Sequence, residues 1–145
     1  MAYAVAADCQ RLVKWITFGA ISKLTTIDIE ALITEADAQI NGMIGQIYTI
    51  PVTALTDVVI VKYASVRLAA YAAAKILISQ AGGDLSKTVE DWKDEADKRI
   101  ADIQSRKIFL ENTPTRQVRV SGLYSHTAHD VNAPAQVWHT GKDEW

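Results

Sequence analysis

Cysteine is almost missing from this chain, and an excess of either charge is missing too. Cys9 is the only cysteine in 145 residues. No intramolecular disulfide can form, and no cysteine-based metal cluster can be assembled. A reducing compartment fits, with Cys9 as a small buried apolar residue rather than a nucleophile. Fifteen Lys and Arg stand against 17 Asp and Glu, a formal net charge of −2. That lacks the basic surplus of a dedicated nucleic-acid binder. Long uninterrupted apolar runs are missing as well. The most apolar stretch, Val58 to Ile78, is broken by Lys62, Arg67 and Lys75 and is rich in alanine, so no membrane span is expected. The first ten residues, MAYAVAADCQ, have neither the basic start nor the long apolar run of a signal peptide. No repeat of solenoid period is visible. What remains is ordinary globular usage, 49% apolar and 22% charged. The length suits one domain that buries a core without staples.

The hydrophobic spacing is helical as far as Leu110. Asp8 is placed to cap a short first helix reaching about Phe18, with Gly19 just past its end. Thr26 is the candidate N-cap of a second helix. Ile29, Leu32, Ile33, Ala36, Ile40, Met43, Ile44 and Ile47 step by three and four residues, which makes one stripe. Glu30, Glu35, Asp37, Gln39 and Gln46 fall on the opposite, polar face. Pro51 disfavours helical geometry at Ile50, so Thr49 to Thr56 reads as an extended linker. A third helix starts near Asp57 and stops at Gly82-Gly83. It is apolar nearly all round, through Val59, Ile60, Tyr63, Ala64, Leu68, Ala70, Tyr71, Ala74, Leu77 and Ile78, as befits a central helix. A fourth helix starts near Thr88, with Asp91 completing a capping-box-like pair. Its acids come first and Lys98, Arg99, Arg106 and Lys107 later, in the order the helix dipole favours. Asp94–Lys98 and Glu95–Arg99 are spaced for i,i+4 ion pairs. Val89, Trp92, Ala96, Ile100 and Ile103 form its apolar face. Ile33, Ile40, Ile44, Tyr71, Leu77, Trp92 and Ile100 are expected in one buried cluster.

Beyond Leu110 the helical period ends. Residues 111–145 are rich in Thr, Ser, Gln, Asn and His, with Pro114 and Pro134 as punctuation. Val118 and Val120 alternate with polar neighbours, which suggests a short strand. The expected architecture is therefore all-α: a small bundle of about four helices over residues 1–110. An extended arm over 111–145 follows, with room for a short strand or hairpin. The arm cannot build its own core, yet it carries Leu123, Tyr124, Val137, Trp138 and Trp145. Together with Val118 and Val120 these are the candidate partner-binding residues, because rigid aromatics dominate interface energetics.

Chemistry has little to hold. His126, His129 and Asp130, with His139 downstream, form an HxxH pair in a loop, without the helical spacing of a zinc protease site. Solvated or interface histidines describe them better. Asp28, Glu30, Glu35 and Asp37 read as one solvated helix face rather than paired catalytic carboxylates. Gly82-Gly83-Asp84 is a helix end and turn, since no G-K-[ST] follows. Lys62, Arg67 and Lys75 read as cations reaching out from the rim of a buried helix on apolar stems. No constellation for a nucleophile and base, no metal site and no cofactor site is expected.

One order of elements is more specific. Tyr3 comes first. Ala36, Ile40 and Ile44 then run into Tyr48 and Pro51. The Ala-rich run Leu68 to Ala74 follows, and then Trp92, Ala96, Ile100 and Ile103. This order over residues 1–110 resembles the head–tail connector proteins of tailed phages, the adaptor or head-completion family of Mu-like type. One departure is Ser105-Arg106-Lys107, where that family commonly has a glycine near the end of the fourth helix. The resemblance implies a non-enzymatic virion protein without cofactor, located in the virion neck and assembled in the host cytoplasm. It implies a ring of copies, commonly twelve, beneath the portal protein. Such a ring extends the DNA channel, lets genomic DNA pass without sequence-specific contact and offers a docking surface to tail terminator or stopper proteins. A free-standing helical binding or regulatory module is the alternative that the residues leave open.

Overall fold

Four α-helices make up the regular structure in the computed structural model, which describes residues 2–14 and 24–116. They are α1 (Ala6–Leu12), α2 (Thr26–Ile44), α3 (Leu55–Ala81) and α4 (Lys87–Gln104). The all-α bundle expected from the hydrophobic spacing is the observed architecture. α3 lies at its centre and packs against each of the other three helices. α2 and α4 run antiparallel to it and also touch each other. No described helix is long and apolar enough to cross a membrane.

The starts of α1 and α2 are set by side-chain hydrogen bonds, those of α3 and α4 have no side-chain cap bond, and the four lie one to three residues before the expected positions. Asp8 lies inside α1, not before it. Its carboxylate accepts the Val5 N–H at 3.0 Å, from the third helical position back to the cap. Among the described residues α1 ends at Leu12; the expected extension to Phe18 and Gly19 lies outside them. α2 is capped by Thr25 instead of Thr26. The Thr25 hydroxyl accepts the Asp28 N–H at 3.2 Å, and the Asp28 carboxylate accepts the Thr25 N–H at 2.8 Å. Only Thr25 has an acid three residues on, so only Thr25 can form the reciprocal pair. α4 is entered through Ser86, two residues before Thr88.

The ends of α3 and α4 are set by left-handed residues. Gly82 ends α3 at φ 70°, its N–H donating to Ser79 O while the Gly83 N–H reaches Ile78 O. Arg106 does the same after α4 at φ 58°, with Arg106 N–H on Ile103 O and Lys107 N–H on Asp102 O. Both are Schellman closures. The second is made by a residue with a Cβ, which disfavours that conformation by about 1–2 kcal/mol.

The core is a stripe from α2 packed on α3 and α4. Ile29, Ile33, Ala36, Ile40 and Ile44 of α2 are all buried, as are Ala96, Ile100 and Ile103 of α4. Alanines 64, 69, 70, 73 and 74 of α3 are buried too, and their small side chains let the neighbouring helices approach closely. Of the expected cluster, Ile33, Ile40, Ile44 and Ile100 are in it and Leu77 packs against it half-buried. Tyr71 and Trp92 are only half-buried and lie outside it. Tyr3 and Tyr48 take the aromatic places instead. Met43, expected in the stripe, is exposed at the far end of α2. The Ile50–Pro51 peptide is cis.

Ile40 is fully buried. Ile40→Ala should therefore lower stability by about 2–5 kcal/mol in urea unfolding, and a loss below about 0.5 kcal/mol would refute this packing. The two helix ends should respond with opposite signs. Arg106→Gly should raise stability by about 0.5–1 kcal/mol by relieving the left-handed backbone, and Gly82→Ala should lower it by a similar amount. Both changes are read from the same melts.

Candidate interaction surface

Two aspartates that the sequence reading placed outside the core turn out to organise it. Asp37 was assigned to the polar face of α2, yet it is only 4% exposed. Its carboxylate accepts the Tyr3 N–H at 2.8 Å and the Ser65 hydroxyl on α3. Asp57 was read as the start of α3; it lies within the first turn and is 1% exposed. Its Oδ2 accepts the Asn112 N–H at 2.9 Å and the Thr113 hydroxyl at 2.6 Å. Neither forms an ion pair with any described residue. Asp37 thus fastens the Tyr3 segment to α2 and, through Ser65, α2 to α3, while Asp57 fastens the Asn112–Thr113 segment to the start of α3.

Tyr3 completes the N-terminal fastening. Its hydroxyl donates to Asn41 Oδ1 and accepts the Val52 N–H at 3.0 Å. Burial, with the Asp37 charge adding, pushes the phenol above its ordinary range even though the Val52 and Asn41 hydrogen bonds oppose this. Cys9 is buried, its thiol pushed up to about 12 first by burial and then by the charges of Asp8 and Asp37. That removes it as a thiolate nucleophile near neutral pH. Burial works to raise the Asp8 carboxyl as well. The Lys62 ammonium at 2.8 Å, the Val5 N–H and the Arg11 charge outweigh it and hold the group below the ordinary carboxylate range.

The C-terminal fastening moves the expected boundary. Residues 111–116 belong with the helical body. Thr49 N–H donates to Pro114 O at 2.8 Å and Arg116 N–H to Ile47 O at 2.6 Å, around an antiparallel bridge between Tyr48 and Thr115. The Arg116 guanidinium reaches Gly45 O at 3.3 Å. The segment leaves the described structure at one particular end of the bundle, where α2 finishes, α3 begins and α4 exits.

Exposed large apolar side chains gather at that same end. Leu55 is 83% exposed and Val59, one turn later, 67%; Met43, Ile50 and Phe109 are exposed on the adjoining segments. Val5 joins them, since its N–H and the Lys62 ammonium meet on one Asp8 oxygen. Ile27 is the one exposed large apolar residue at the opposite end among the described residues. Val59, counted in the apolar surface of α3 that was expected to be touched on several sides, is uncovered: the first two turns of α3 show an apolar face to solvent. A hollow of about 510 Å³ opens beside Phe109, lined also by Arg106, Thr113 and Tyr48. The Tyr48 ring is 1% exposed, and its hydroxyl has no hydrogen-bond partner among the described residues. A buried phenol O–H normally finds one.

On the flank formed by α3 and α4, Glu95 does not pair with Arg99. It accepts from Arg67 Nε at 2.6 Å and from the Tyr63 hydroxyl at 3.0 Å, which hold its carboxyl below the ordinary range. The guanidinium carbons of Arg67 and Arg99 lie 3.5 and 4.5 Å from the Tyr63 ring centroid. The observed i,i+4 ion pair on α4 is Lys93–Asp97 at 2.9 Å. Lys62 and Arg67, read as rim cations, are thus both engaged in holding helices together.

The candidate partner residues Val118, Val120, Leu123, Tyr124, Val137, Trp138 and Trp145 lie outside the described residues, as do His126, His129 and His139. Among the described residues no group of three or more His, Cys, Asp or Glu is placed to hold a metal ion. The chain matches no family model, no curated protein and no solved structure.

Truncation should separate body from arm. A chain ending at Arg116 keeps both Asp57 donors and should melt cooperatively near the full-length temperature. A chain ending at Leu110 loses two hydrogen bonds to a carboxylate and should be less stable by on the order of 2–4 kcal/mol. Equal melting of the two would refute the fastening.

Proposed function

We propose that this chain is a structural assembly protein of a tailed phage, a head–tail connector adaptor. It forms a ring of copies beneath the portal protein, extends the channel through which genomic DNA passes and gives tail terminator or stopper proteins a surface to dock on. Its place is the virion neck, reached after assembly in the host cytoplasm. The observation that carries this reading is the concentration of exposed apolar side chains at the end where the C-terminal segment is rooted. A protein whose purpose is docking needs a face that gains by leaving water, and such patches mark interaction sites. The resemblance adds to it. Tyr3, Ala36, Ile40, Ile44, Tyr48, Ala96, Ile100 and Ile103 belong to one buried cluster, with Trp92 of the same pattern half-buried outside it, so most of the pattern is one of core packing.

A closed ring needs a heterologous contact, in which two different patches meet head to tail. The polar outer faces of α2 and α4 suit the flanks of such a subunit. Asp94 is exposed there and available to a neighbour, whereas Glu95 is already engaged by Arg67 and Tyr63.

The test is to image the full chain with a portal ring from the same genome. A cyclic layer of copies beneath the portal is the expected outcome. Leu55→Glu should abolish that layer yet change stability by no more than about 0.5 kcal/mol, because the side chain is exposed and an acid suits a helix N-terminus. Isologous dimers of fixed stoichiometry, with or without the portal, would overturn the proposal and favour a free-standing regulatory module.

A further inference from the structure

Between α2, α3 and α4 runs a second concavity, a groove of about 310 Å³ on the flank of the bundle. Its floor is apolar, formed by Leu32 of α2 with Leu68, Ala72 and Ile76 of α3. Its rim is charged and of both signs: Glu35 from α2, Lys75 from α3 and Lys93 from α4. Lys75 is exposed and has no ion pair among the described residues, while Lys93 shares its charge with Asp97. The groove is large enough for one big side chain and its neighbours, and it rewards a segment that brings an apolar ring beside acids.

The arm contains one such segment. Lys142-Asp143-Glu144-Trp145 places a cation, two adjacent acids and an indole in sequence, and no other acid in residues 117–145 adjoins an aromatic residue. We propose that this groove seats the Lys142–Trp145 segment of a neighbouring copy, with Trp145 on the apolar floor, the two acids toward Lys75 and Lys93, and Lys142 toward Glu35. The occupant is identified by charge complementarity and by reach. The described chain leaves at Arg116, beside Gly45, and the groove begins at Gln39, about 9 Å along α2 from there at 1.5 Å per residue. Residues 117–142 extend up to about 85 Å, enough to cross from one subunit to the next. Assignment to a neighbour rests on the ring reading. An arm rooted at one end and a groove on the flank are the two unlike patches that head-to-tail closure requires.

The experiment uses two full-length variants, Gln39→Cys at the groove and Glu144→Cys in the arm, mixed and treated with a short bismaleimide. Native Cys9 is fully buried and stays unlabelled. The expected result is a cross-linked heterodimer formed about tenfold more readily than with Glu30→Cys, on another face of α2, as the control. Lys75→Glu should suppress the link and Glu144→Lys, read with the crosslinking cysteine moved to Asp143, should restore it. Cross-linking only within a chain carrying both cysteines would overturn the proposal by showing the groove filled by its own arm. Equal linking to the control would overturn it by showing the segment seated elsewhere. Portal imaging is scored separately. A ring without this link leaves the connector reading standing alone, and a link between copies without a ring leaves the contact standing and removes the connector.

Discussion

A carboxylate that leaves water with no cation beside it must find hydrogen-bond donors, and the fold depends on two that do so. Asp37 of α2 and Asp57 of α3 are buried, and their donors come mainly from outside the helices that carry them. Burying an ionised group costs several kcal/mol unless it is paired or hydrogen-bonded. These positions are tolerable only when Tyr3 and Thr113 are in place. The segments that carry Tyr3 and Thr113 are therefore as necessary as the helices. A three-helix hairpin of α2, α3 and α4 alone would leave both acids short of donors.

The same two positions show where sequence reasoning stopped. The α2 stripe was legible because Ile29, Ile33, Ala36, Ile40 and Ile44 repeat at the helical period and residue type agrees with burial. Asp37 lies beside that stripe but reads as surface by type, and the donors that license its burial are 34 and 28 residues away. Glu95 fails for a related reason. The i,i+4 rule offers it Arg99 for a few tenths of a kcal/mol, and a bond to Arg67 across the helix interface wins. The Thr25 cap was readable in principle, since Thr25 and Asp28 stand in capping-box spacing and Thr26 and Ile29 do not. Leu55 fell in the expected linker rather than in α3, and the exposed face of the first turns was not legible because an all-apolar helix gives no period from which to pick it. Leu55 and Val59 look no different from Val61 in type; only the absence of a described helix over them separates the two sets.

That exposed face gives the bundle two unlike ends. One is closed by the Gly82 turn and the Ser86 entry into α4, with polar residues and few large apolar side chains. The other collects Val5, Met43, Ile50, Leu55, Val59 and Phe109 where the described chain ends, with Tyr48, whose buried hydroxyl has no partner among the described residues, beside the hollow there. A subunit of this kind has a built-in direction, and a set of such subunits arranged side by side about an axis would present one apolar rim and one polar rim. The candidate surface was only half legible. The arm's aromatics gave an expectation of docking from composition alone, but the apolar end emerges from chain segments that meet only in the folded state.

The fastening at Asp57 also decides how the molecule bears a load. Tension applied along the arm enters at Arg116 and meets the Tyr48–Thr115 bridge, the two backbone hydrogen bonds around it and the paired donors on Asp57 at nearly the same point. These bonds share the pull as a group and pass it to the start of α3, the helix that every other helix packs against. α4, which a direct connection from its last turn would peel away turn by turn, is spared. The short stretch from Leu110 to Arg116 would act as a strain relief, so that a pull on the residues beyond Arg116 would not unravel the body that carries them.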